Sequence, residues 1–253
     1  MKPLEALIHL GSLPVGGVLP AFEPDFGKDM GAFLSELSGL AVYPRSVVVL
    51  RGAVAFLGKE GLDKKLCVLS SAAVSPEFYR KVEGRARNVD VGGEAFGLKV
   101  ADLTAGNAEL VRKHIPFTAP GLVGLKTSVG LGDRLGLATP GHLRAVEGTG
   151  VAPYLAQQSI REMTRTERTA AQVMDCATWG VLEFGWRDGF GSDADHLKLP
   201  EDIDRTAAAG FTMFTVDPGD HVDSATDHDD DATLAAKYAA LPWGELETTA
   251  GEC

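Results

Sequence analysis

The sequence predicts an α/β fold, specifically a (β/α) TIM-type barrel, and three observations support this prediction. Candidate strand ends recur near residues 131, 157, 192 and 216, helical patterns lie between them, and residues 191–223 form a strand, helix, strand pattern. A complete barrel of this type uses about 250 residues for eight strands. About six strands are recognisable here, so we expect an incomplete barrel in a single domain, 1–253, that lacks its C-terminal part.

The strand, helix, strand unit carries the clearest local signals. Pro200 stands where a first helical turn tolerates proline, acidic residues follow it, three alanines continue the helix, and Gly210 ends it. A βαβ crossover makes its two strands parallel and brings their carboxyl ends to one edge of the sheet. We therefore expect the Asp and His residues at 193–196 and 220–221 to converge at that edge.

The remaining elements are predicted from composition and periodicity. In the first half, strands are predicted at 46–50 and 66–70, and the composition of 51–61 allows a helix between them. Residues 80–100 fit either a hairpin or an irregular insertion. Later predictions are strands at 121–130 and 151–156, a helix starting with Thr139 as its cap, an amphipathic helix at 170–184 and a helix at 233–240. Trp179 and Trp186 are predicted to lie in the core.

Charge and cysteine content exclude several classes of protein. The net charge of -11 and the pI near 5.0 argue against a nucleic-acid-binding surface. No apolar run reaches the 18 residues of a membrane span. Three widely spaced cysteines without a C-x-x-C motif indicate neither a disulfide framework nor a thiolate zinc site, and favour a reducing cytoplasm. The acidic run at 227–231 is predicted to be a solvated loop that starts a helix.

Two Asp and His clusters are candidate metal ligands. His196, His221 and Asp193 offer the imidazole and carboxylate groups that Zn, Mn, Co and Ni share as ligands. The alternative is that Asp195 and Asp220 cap the helices that follow them, while the histidines fill loops. The spacing of these residues leaves both interpretations open.

Other polar residues are candidates for binding a small ligand. Arg134, beside Asp133 in a glycine-rich loop, could grip a substrate carboxylate, or the two residues could form a surface ion pair. His142 either faces the site or caps a helix. The polar run after the strand at 151–156 favours contacts with substrate hydroxyls, and a G-x-G-x-x-G or P-loop motif is absent. That run and the following unit supply the other candidates, Gln158, Arg161, Glu162 and Lys198.

The run from Gly132 to Trp243 resembles the tagaturonate epimerase family, and four segments carry the resemblance. They are Gly132-Asp-Arg-Leu-Gly-Leu-Ala-Thr-Pro-Gly-His142, Gln157-Gln-Ser-Ile-Arg-Glu-Met163, Asp193-Ala-Asp-His-Leu-Lys198 and Asp217-Pro-Gly-Asp-His-Val-Asp223. The resemblance implies a TIM barrel, a divalent metal cation, and the interconversion of the hexuronates tagaturonate and fructuronate. Family members are considerably longer than this chain.

The resemblance leads us to expect metal-dependent epimerisation of D-tagaturonate to D-fructuronate by retro-aldol and aldol steps. Two alternatives stay open, a metal-dependent aldolase acting on sugar acids and a truncated, non-catalytic remnant that binds sugar acids. The expected partner is a small sugar acid, with no nucleic acid or membrane, and the oligomeric state is left open. The expected roles are metal binding by His196, His221 and Asp193, proton transfer by Asp195, Asp220 and Glu162, and substrate binding by Asp133, Arg134, His142, Gln158, Arg161 and Lys198.

Overall fold

The computed structural model describes residues 24–50, 52–71, 74–246, 248–249 and 251–252. The chain divides into two compact units, one ending at Val216 and the other beginning at Asp217. The first unit holds every described strand, in two sheets. Whether the chain forms one domain remains a prediction.

A six-stranded antiparallel sheet occupies the first part of the chain. Its strands run in the order β1-β3-β4-β6-β5, and β2 pairs with β3 beside β1. The strands are Ala41–Val42 (β1), Val48–Leu50 (β2), Ala53–Glu60 (β3), Asp63–Ser71 (β4), Arg85–Val91 (β5) and Glu94–Ala101 (β6). The predicted alternation of strand and helix in this half is therefore wrong.

The error has a physical cause in β3. Its first six residues are buried because helices cover both faces of the sheet, so the strand shows no alternation of apolar and polar residues. Without that alternation, its Ala and Leu content resembles that of a helix. The open question at 80–100 is decided for the hairpin, since β5 and β6 pair around Gly92 and Gly93, which both have positive φ.

Seven helices in the first unit are described, and they cover the two sheets. Helix α1 packs Met30 and Leu34 on one face of the antiparallel sheet, and α2, α3 and α6 pack on the other. The helices are Pro24–Ser38 (α1), Glu77–Lys81 (α2), Ala105–His114 (α3), Thr139–Val146 (α4), Ile160–Arg165 (α5), Ala170–Phe184 (α6) and Pro200–Ala208 (α7). Helix α4 begins at Thr139 with Ala138 as its cap residue, so the predicted cap is one residue off.

Helix α6 joins the two layers, as its buried positions on two sides require. Met174 and Val181 belong to the core of the parallel sheet, and Trp179 and Leu182 to the core under the antiparallel sheet. Its predicted limits are confirmed. Trp179 and Trp186 are 7% and 6% exposed, which confirms that they are core residues.

The second sheet has four parallel strands in the order β10-β9-β8-β7. They are Ser128–Gly132 (β7), Ala152–Ser159 (β8), Gly191–Leu197 (β9) and Met213–Val216 (β10). The predicted βαβ unit is confirmed, because α7 connects the parallel pair β9 and β10. The chain therefore has a mixed α/β fold, and a closed barrel remains a prediction.

Two predicted strand ends are too early. Strand β8 continues through Gln158 to Ser159, and β9 continues to Leu197, so Asp193, Asp195 and His196 lie inside a strand. The predicted strand at 121–130 is β7, displaced towards its C-terminal side. The boundary predictions ended both strands where polar residues begin. The strands in fact continue through those polar side chains, at the edge where a site is expected.

The second unit contains two short 3-10 helices and α8 (Asp231–Ala239). Asp230 caps α8 by accepting a hydrogen bond from the backbone N–H of Thr233 at 2.7 Å. The acidic run at 227–231 thus starts a helix, as predicted. In the part of the chain that the structure describes, no helix is long and apolar enough to cross a membrane.

Candidate functional site

The candidate site lies at the edge of the parallel sheet where β7, β8 and β9 end side by side. The loop after β7 presents Arg134, the helix after β8 presents Glu162, and β9 itself presents Asp195 and His196. Parallel pairing explains why residues up to 62 positions apart in sequence share this edge. The carboxyl ends of parallel strands are the usual place for a ligand site in α/β proteins.

β-Bulges in β8 and β9 shape this edge. Ala156 and Gln157 of β8 together lie opposite Asp193 of β9, because the paired residues on either side skip one more residue in β8. In the same way, Asp195 and His196 together lie opposite Thr215 of β10. A bulge bends a strand and redirects its side chains, and bulges are frequent beside active sites.

Asp193 lies at the centre of a hydrogen-bonded row across three strands. The residue is 2% exposed, and its carboxylate accepts hydrogen bonds from Gln157 Nε2 of β8 at 2.9 Å and from Thr215 Oγ1 of β10 at 2.8 Å. Both donors are neutral, and each oxygen is used by one of them. Asp193 thus links side chains of the two neighbouring strands, and its role as a metal ligand remains a prediction.

Asp195 is a half-buried carboxyl group near the end of β9. Burial raises the pKa of Asp195, the charge of His196 lowers it in part, and the charges of Asp193 and Glu162 raise it further. His196 is exposed, and its Nε2 lies 3.6 Å from Asp195 Oδ2. The interpretation of Asp195 as a helix cap is wrong, because the cap position of α7 is Leu199, which makes no side-chain cap bond.

Asp133 organises the loop between β7 and α4. Its Oδ1 accepts hydrogen bonds from the backbone N–H groups of Leu135, Gly136 and Leu137 at 3.2, 2.8 and 3.2 Å, and its Oδ2 accepts from Ala138 at 2.8 Å. The side chain is buried, with the residue 8% exposed. Both carboxylate oxygens of Asp133 are thus bonded to its own loop. Contact of Asp133 with the substrate remains a prediction.

Arg134 pairs with Glu162 and not with Asp133. Arg134 Nε donates to Glu162 Oε1 at 2.5 Å, and Nη2 lies 2.5 Å from the same oxygen. The predicted alternative, an ion pair between neighbours 133 and 134, is therefore wrong. Arg134 keeps 68% of its side chain exposed, against 15% for Glu162.

Glu162 is an ionised anchor in this arrangement. Burial pushes the pKa of Glu162 upward, but the Arg134 hydrogen bond, the Ser159 N–H and the charges of Arg134 and Arg161 outweigh it, so the pKa is lowered. Its Oε2 accepts from Ser159 N while Ser159 Oγ accepts from Glu162 N, which forms the capping box of α5. A carboxylate held in this way is better suited to positioning Arg134 than to donating a proton.

Gln158 is fully buried behind the edge. Its Oε1 accepts from Arg168 Nη1 at 2.8 Å, and its Nε2 donates to Thr166 Oγ1 at 3.1 Å. Arg168 Nη1 also lies 3.3 Å from the backbone oxygen of Asp133, so it links two strand ends. Arg168 belongs to no motif or periodic pattern that could have identified it from the amino-acid sequence. Gln158 supports the edge from inside, and substrate contact by its side chain is left as a prediction.

The other substrate candidates of the first unit lie around the same edge. Arg161 is exposed in the first turn of α5, and Lys198 is exposed directly after β9. His142 is half-buried on α4, and its Nδ1 is buried without a hydrogen-bond partner. Their roles as substrate contacts remain predictions.

Asp220 and His221 belong to the second unit. They lie in the 3-10 helix Gly219–His221, and both residues are exposed. The cap of α8 is Asp230, so capping of that helix by Asp220 is excluded. The convergence of His221 with His196 stays a prediction. Among the residues that the structure describes, no group of three or more His, Cys, Asp or Glu side chains has an arrangement that could hold a metal ion.

A family model described as tagaturonate epimerase matches residues 43–250 of the chain. A curated relative, the tagaturonate/fructuronate epimerase of Thermotoga maritima, is 41% identical over 208 residues. That match covers 81% of this chain and 39% of the relative, so the chain spans about two-fifths of the relative's length.

Solved structures of the fructuronate-tagaturonate epimerase of Cohnella laeviribosi are similar to the chain. The native structure matches with a TM-score of 0.72 and 34% identity, covering 85% of this chain and 42% of the other. A structure with one glycerol matches with a TM-score of 0.71 and covers 83% and 41%, respectively. Both the antiparallel and the parallel sheets lie mainly within the segment 43–250.

Proposed function

Because the chain belongs to the tagaturonate epimerase family, we propose that it carries part of the site at which D-tagaturonate and D-fructuronate are interconverted. One observation carries the proposal. Three adjacent parallel strands inside the matched segment bring Arg134, Glu162 and Asp195 to one edge. A cation for a sugar carboxylate and a carboxyl group for proton transfer are what this isomerisation of a sugar acid needs.

The fold proposal follows from the same sheet. We take β7 to β10, with α4 to α7, as four strands of a (β/α) barrel. Both edge strands carry exposed apolar side chains, Val129 on β7 at 37% and Phe214 and Val216 on β10 at 38% and 68%. Open edges of this kind favour pairing with further strands, and closure of a barrel removes them.

The chemistry of the two sugars constrains the route. They differ at the carbon β to the ketone, whose C–H bond the carbonyl does not acidify, so removal of a proton at that carbon would be slow. A retro-aldol step avoids this problem. The β-hydroxyl loses its proton, the bond between the α and β carbons breaks, and its electron pair passes to an enediolate on the ketone fragment. After the aldehyde fragment rotates, the enediolate adds to its other face and the proton returns.

We assign the proton transfer at the β-hydroxyl to Asp195. Its half-buried position and its raised pKa suit a carboxyl group that takes up and returns one proton. Neighbouring His196 stabilises the charged form of Asp195, and buried Asp193 is hydrogen-bonded to Gln157 and Thr215 of the adjacent strands. Asp220 is the second candidate for this role, as the sequence predicts.

We include a divalent cation, Zn, Mn, Co or Ni, in the proposal. Its support is the chemistry of the donor groups alone. His196 beside Asp195 offers imidazole and carboxylate, ligand types that these metals share. The described residues do not complete a site of three donors, so we assign no step to the ion. Elemental analysis of the purified chain beside the His196→Ala variant tests this point, and equal stoichiometric metal in both would exclude His196 as a ligand.

The proposed partner is a small sugar acid, because the family acts on one. The net charge of -11 disfavours nucleic acid as a partner. The thiols of Cys67 and Cys176 are free, which suits the reducing cytoplasm that we propose as the location. The proposed substrate-binding residues around the edge are Arg134, Arg161, His142, Gln158, Asp133 and Lys198.

The direct test incubates the purified 253-residue chain with D-tagaturonate and follows the products by NMR. We expect D-fructuronate, and we expect Asp195→Asn to lower the rate by about 100-fold or more. Asp188→Asn is the matched control, because Asp188 is exposed and lies before β9, at the opposite end of the strand. A rate that Asp195→Asn leaves unchanged would remove Asp195 from proton transfer.

The products also separate the competing functions. Accumulation of three-carbon fragments without fructuronate would identify a sugar-acid aldolase, which shares the cleavage step. Binding of the sugar acid without any product would identify a non-catalytic binding protein. Either result would contradict the epimerase proposal.

A further inference from the structure

The Arg134–Glu162 pair places a guanidinium at the open edge of the parallel sheet. Both contacts of Arg134 run to a single carboxylate oxygen, Glu162 Oε1, through Nε and Nη2. A guanidinium has five N–H donors, so this contact leaves donors available on its other side. With 68% of the Arg134 side chain exposed, that side is open to a ligand.

Glu162 cannot easily turn away from this position. Its second oxygen is bonded to the backbone N–H of Ser159, and its own N–H is bonded to Ser159 Oγ. Turning the carboxylate would break its bond to the Ser159 N–H, which is one of the two bonds of the capping box of α5. The helix cap therefore fixes the direction in which Arg134 points.

The charges around Arg134 are mixed. Glu162 pairs with one guanidinium, and Arg161 lies next to Glu162 in sequence, is exposed, and is close enough for its charge to act on Glu162. Both oxygens of Asp133 accept hydrogen bonds from backbone N–H groups of its own loop. Asp195 is close enough to Glu162 for the charge of Glu162 to act on it. The N–H donors of Arg134 that Glu162 does not use, and not a net positive charge, therefore favour an anion at this position.

We propose that Arg134, positioned by Glu162, binds the carboxylate of the substrate and so determines the preference for a sugar acid over the neutral ketose. This inference rests on the proposed function. The neutral ketose carries a hydroxymethyl group in place of the carboxylate and is otherwise the same molecule. A guanidinium binds a carboxylate through two charge-assisted hydrogen bonds, whereas a hydroxyl offers neither the charge nor the second oxygen.

The test measures binding of D-tagaturonate and of the neutral ketose D-tagatose to the chain by titration calorimetry. For Arg134→Met, we expect a loss of about 10- to 100-fold in affinity for the acid and less than about 3-fold for the ketose. Arg134→Lys should fall between, because a lysine keeps the charge but not the planar pair of donors. Added salt should weaken binding of the acid in the native chain and much less in Arg134→Met.

Two further variants separate positioning from folding. Glu162→Gln keeps a side chain that the capping box accepts but removes the charge that holds Arg134, so we expect a partial loss of acid binding only. Arg144→Met removes an exposed arginine from the last turn of α4 and should change neither affinity. Circular dichroism melts establish that each variant is folded.

The possible results distinguish the inference from the function on which it rests. If the native chain binds the acid and Arg134→Met binds it equally well, the inference fails and the proposed function stands. Equal losses for acid and ketose would also overturn it, because Arg134 would then be a general contact. If the native chain binds neither sugar, the proposed function fails and the inference falls with it.

Discussion

Ala156 of β8 and His196 of β9 share an unusual backbone conformation, with φ values of 54° and 53° in neighbouring parallel strands. Each occurs where its strand carries one residue more than the strand beside it. For an L-residue this conformation costs about 1–2 kcal/mol, which the surrounding packing must offset. The strain therefore lies at the edge where the candidate site residues meet.

The strain at Ala156 predicts an unusual response to glycine. In Ala156→Gly, relief of the backbone strain should offset the lost methyl packing and the added chain entropy, leaving the free energy of unfolding within about 0.5 kcal/mol of native. Ala194→Gly is the control, since Ala194 is equally buried in β9 without positive φ. It should lose about 1–2 kcal/mol. Equal losses in urea denaturation would contradict the strain at Ala156.

The hydrogen bonds of Asp133 to its loop predict a large loss of stability when Asp133 is replaced, independent of any contact with substrate. Asp133→Ala leaves four loop N–H groups without their acceptor and should lower the free energy of unfolding by about 3 kcal/mol. Asp133→Asn keeps one acceptor oxygen and should lose about half as much. The exposed Asp188→Ala should change stability by less than about 0.5 kcal/mol. Urea denaturation followed by fluorescence measures all three, and a native-like Asp133→Ala would refute the loop role.

The backbone conformation and close surroundings of Gly185 predict that the end of α6 requires glycine. Its φ is 71°, and an added Cβ would lie 2.2 Å from the backbone oxygen of Arg45. Gly185→Ala should therefore cost more than about 2 kcal/mol, from the left-handed backbone and the clash together. Gly148 has a φ of 76° and open space around it, so Gly148→Ala should cost only about 1 kcal/mol. Thermal melts of the two variants measure their losses of stability. Similar losses would show that the clash between the added Cβ and the backbone of Arg45 is relieved.

Asp175 predicts a pH dependence of stability. Burial raises its pKa, and this outweighs the hydrogen bond that Arg112 Nη1 donates to its Oδ1 at 2.7 Å. Because the folded pKa lies above the unfolded value, the stabilising contribution is complete below about pH 4 and is lost as the pH rises through the folded pKa.

Asp175→Asn removes this titration. We expect the stability of the variant relative to the native chain to improve as the pH rises from about 3.5 to about 6. Urea denaturation at a series of pH values measures the difference. A relative stability that falls over this range would mean that the Arg112 ion pair outweighs the cost of burying Asp175.

Parts of the fold with strong local signals were predictable. Helix α6 has a regular apolar pattern between a Thr cap and Gly185, and α7 has Pro200 at its start and Gly210 after its end. Strand β3 was not predictable, because helices bury both of its faces and remove the alternation that identifies a strand. The candidate site was predictable as a set of residues at strand ends, and the contacts among those residues were not.

The parallel pair β9 and β10, the helix between them and the likeness to a family could be read from the amino-acid sequence, because they depend on residues close together in the chain or on segments that keep their order. The pairing of Arg134 with Glu162, the bonds of Asp133 to its own loop and the bulges of β8 and β9 became visible only in the folded chain. The partners of a side chain depend on distance and burial, and these are set by strand pairing between residues far apart in sequence.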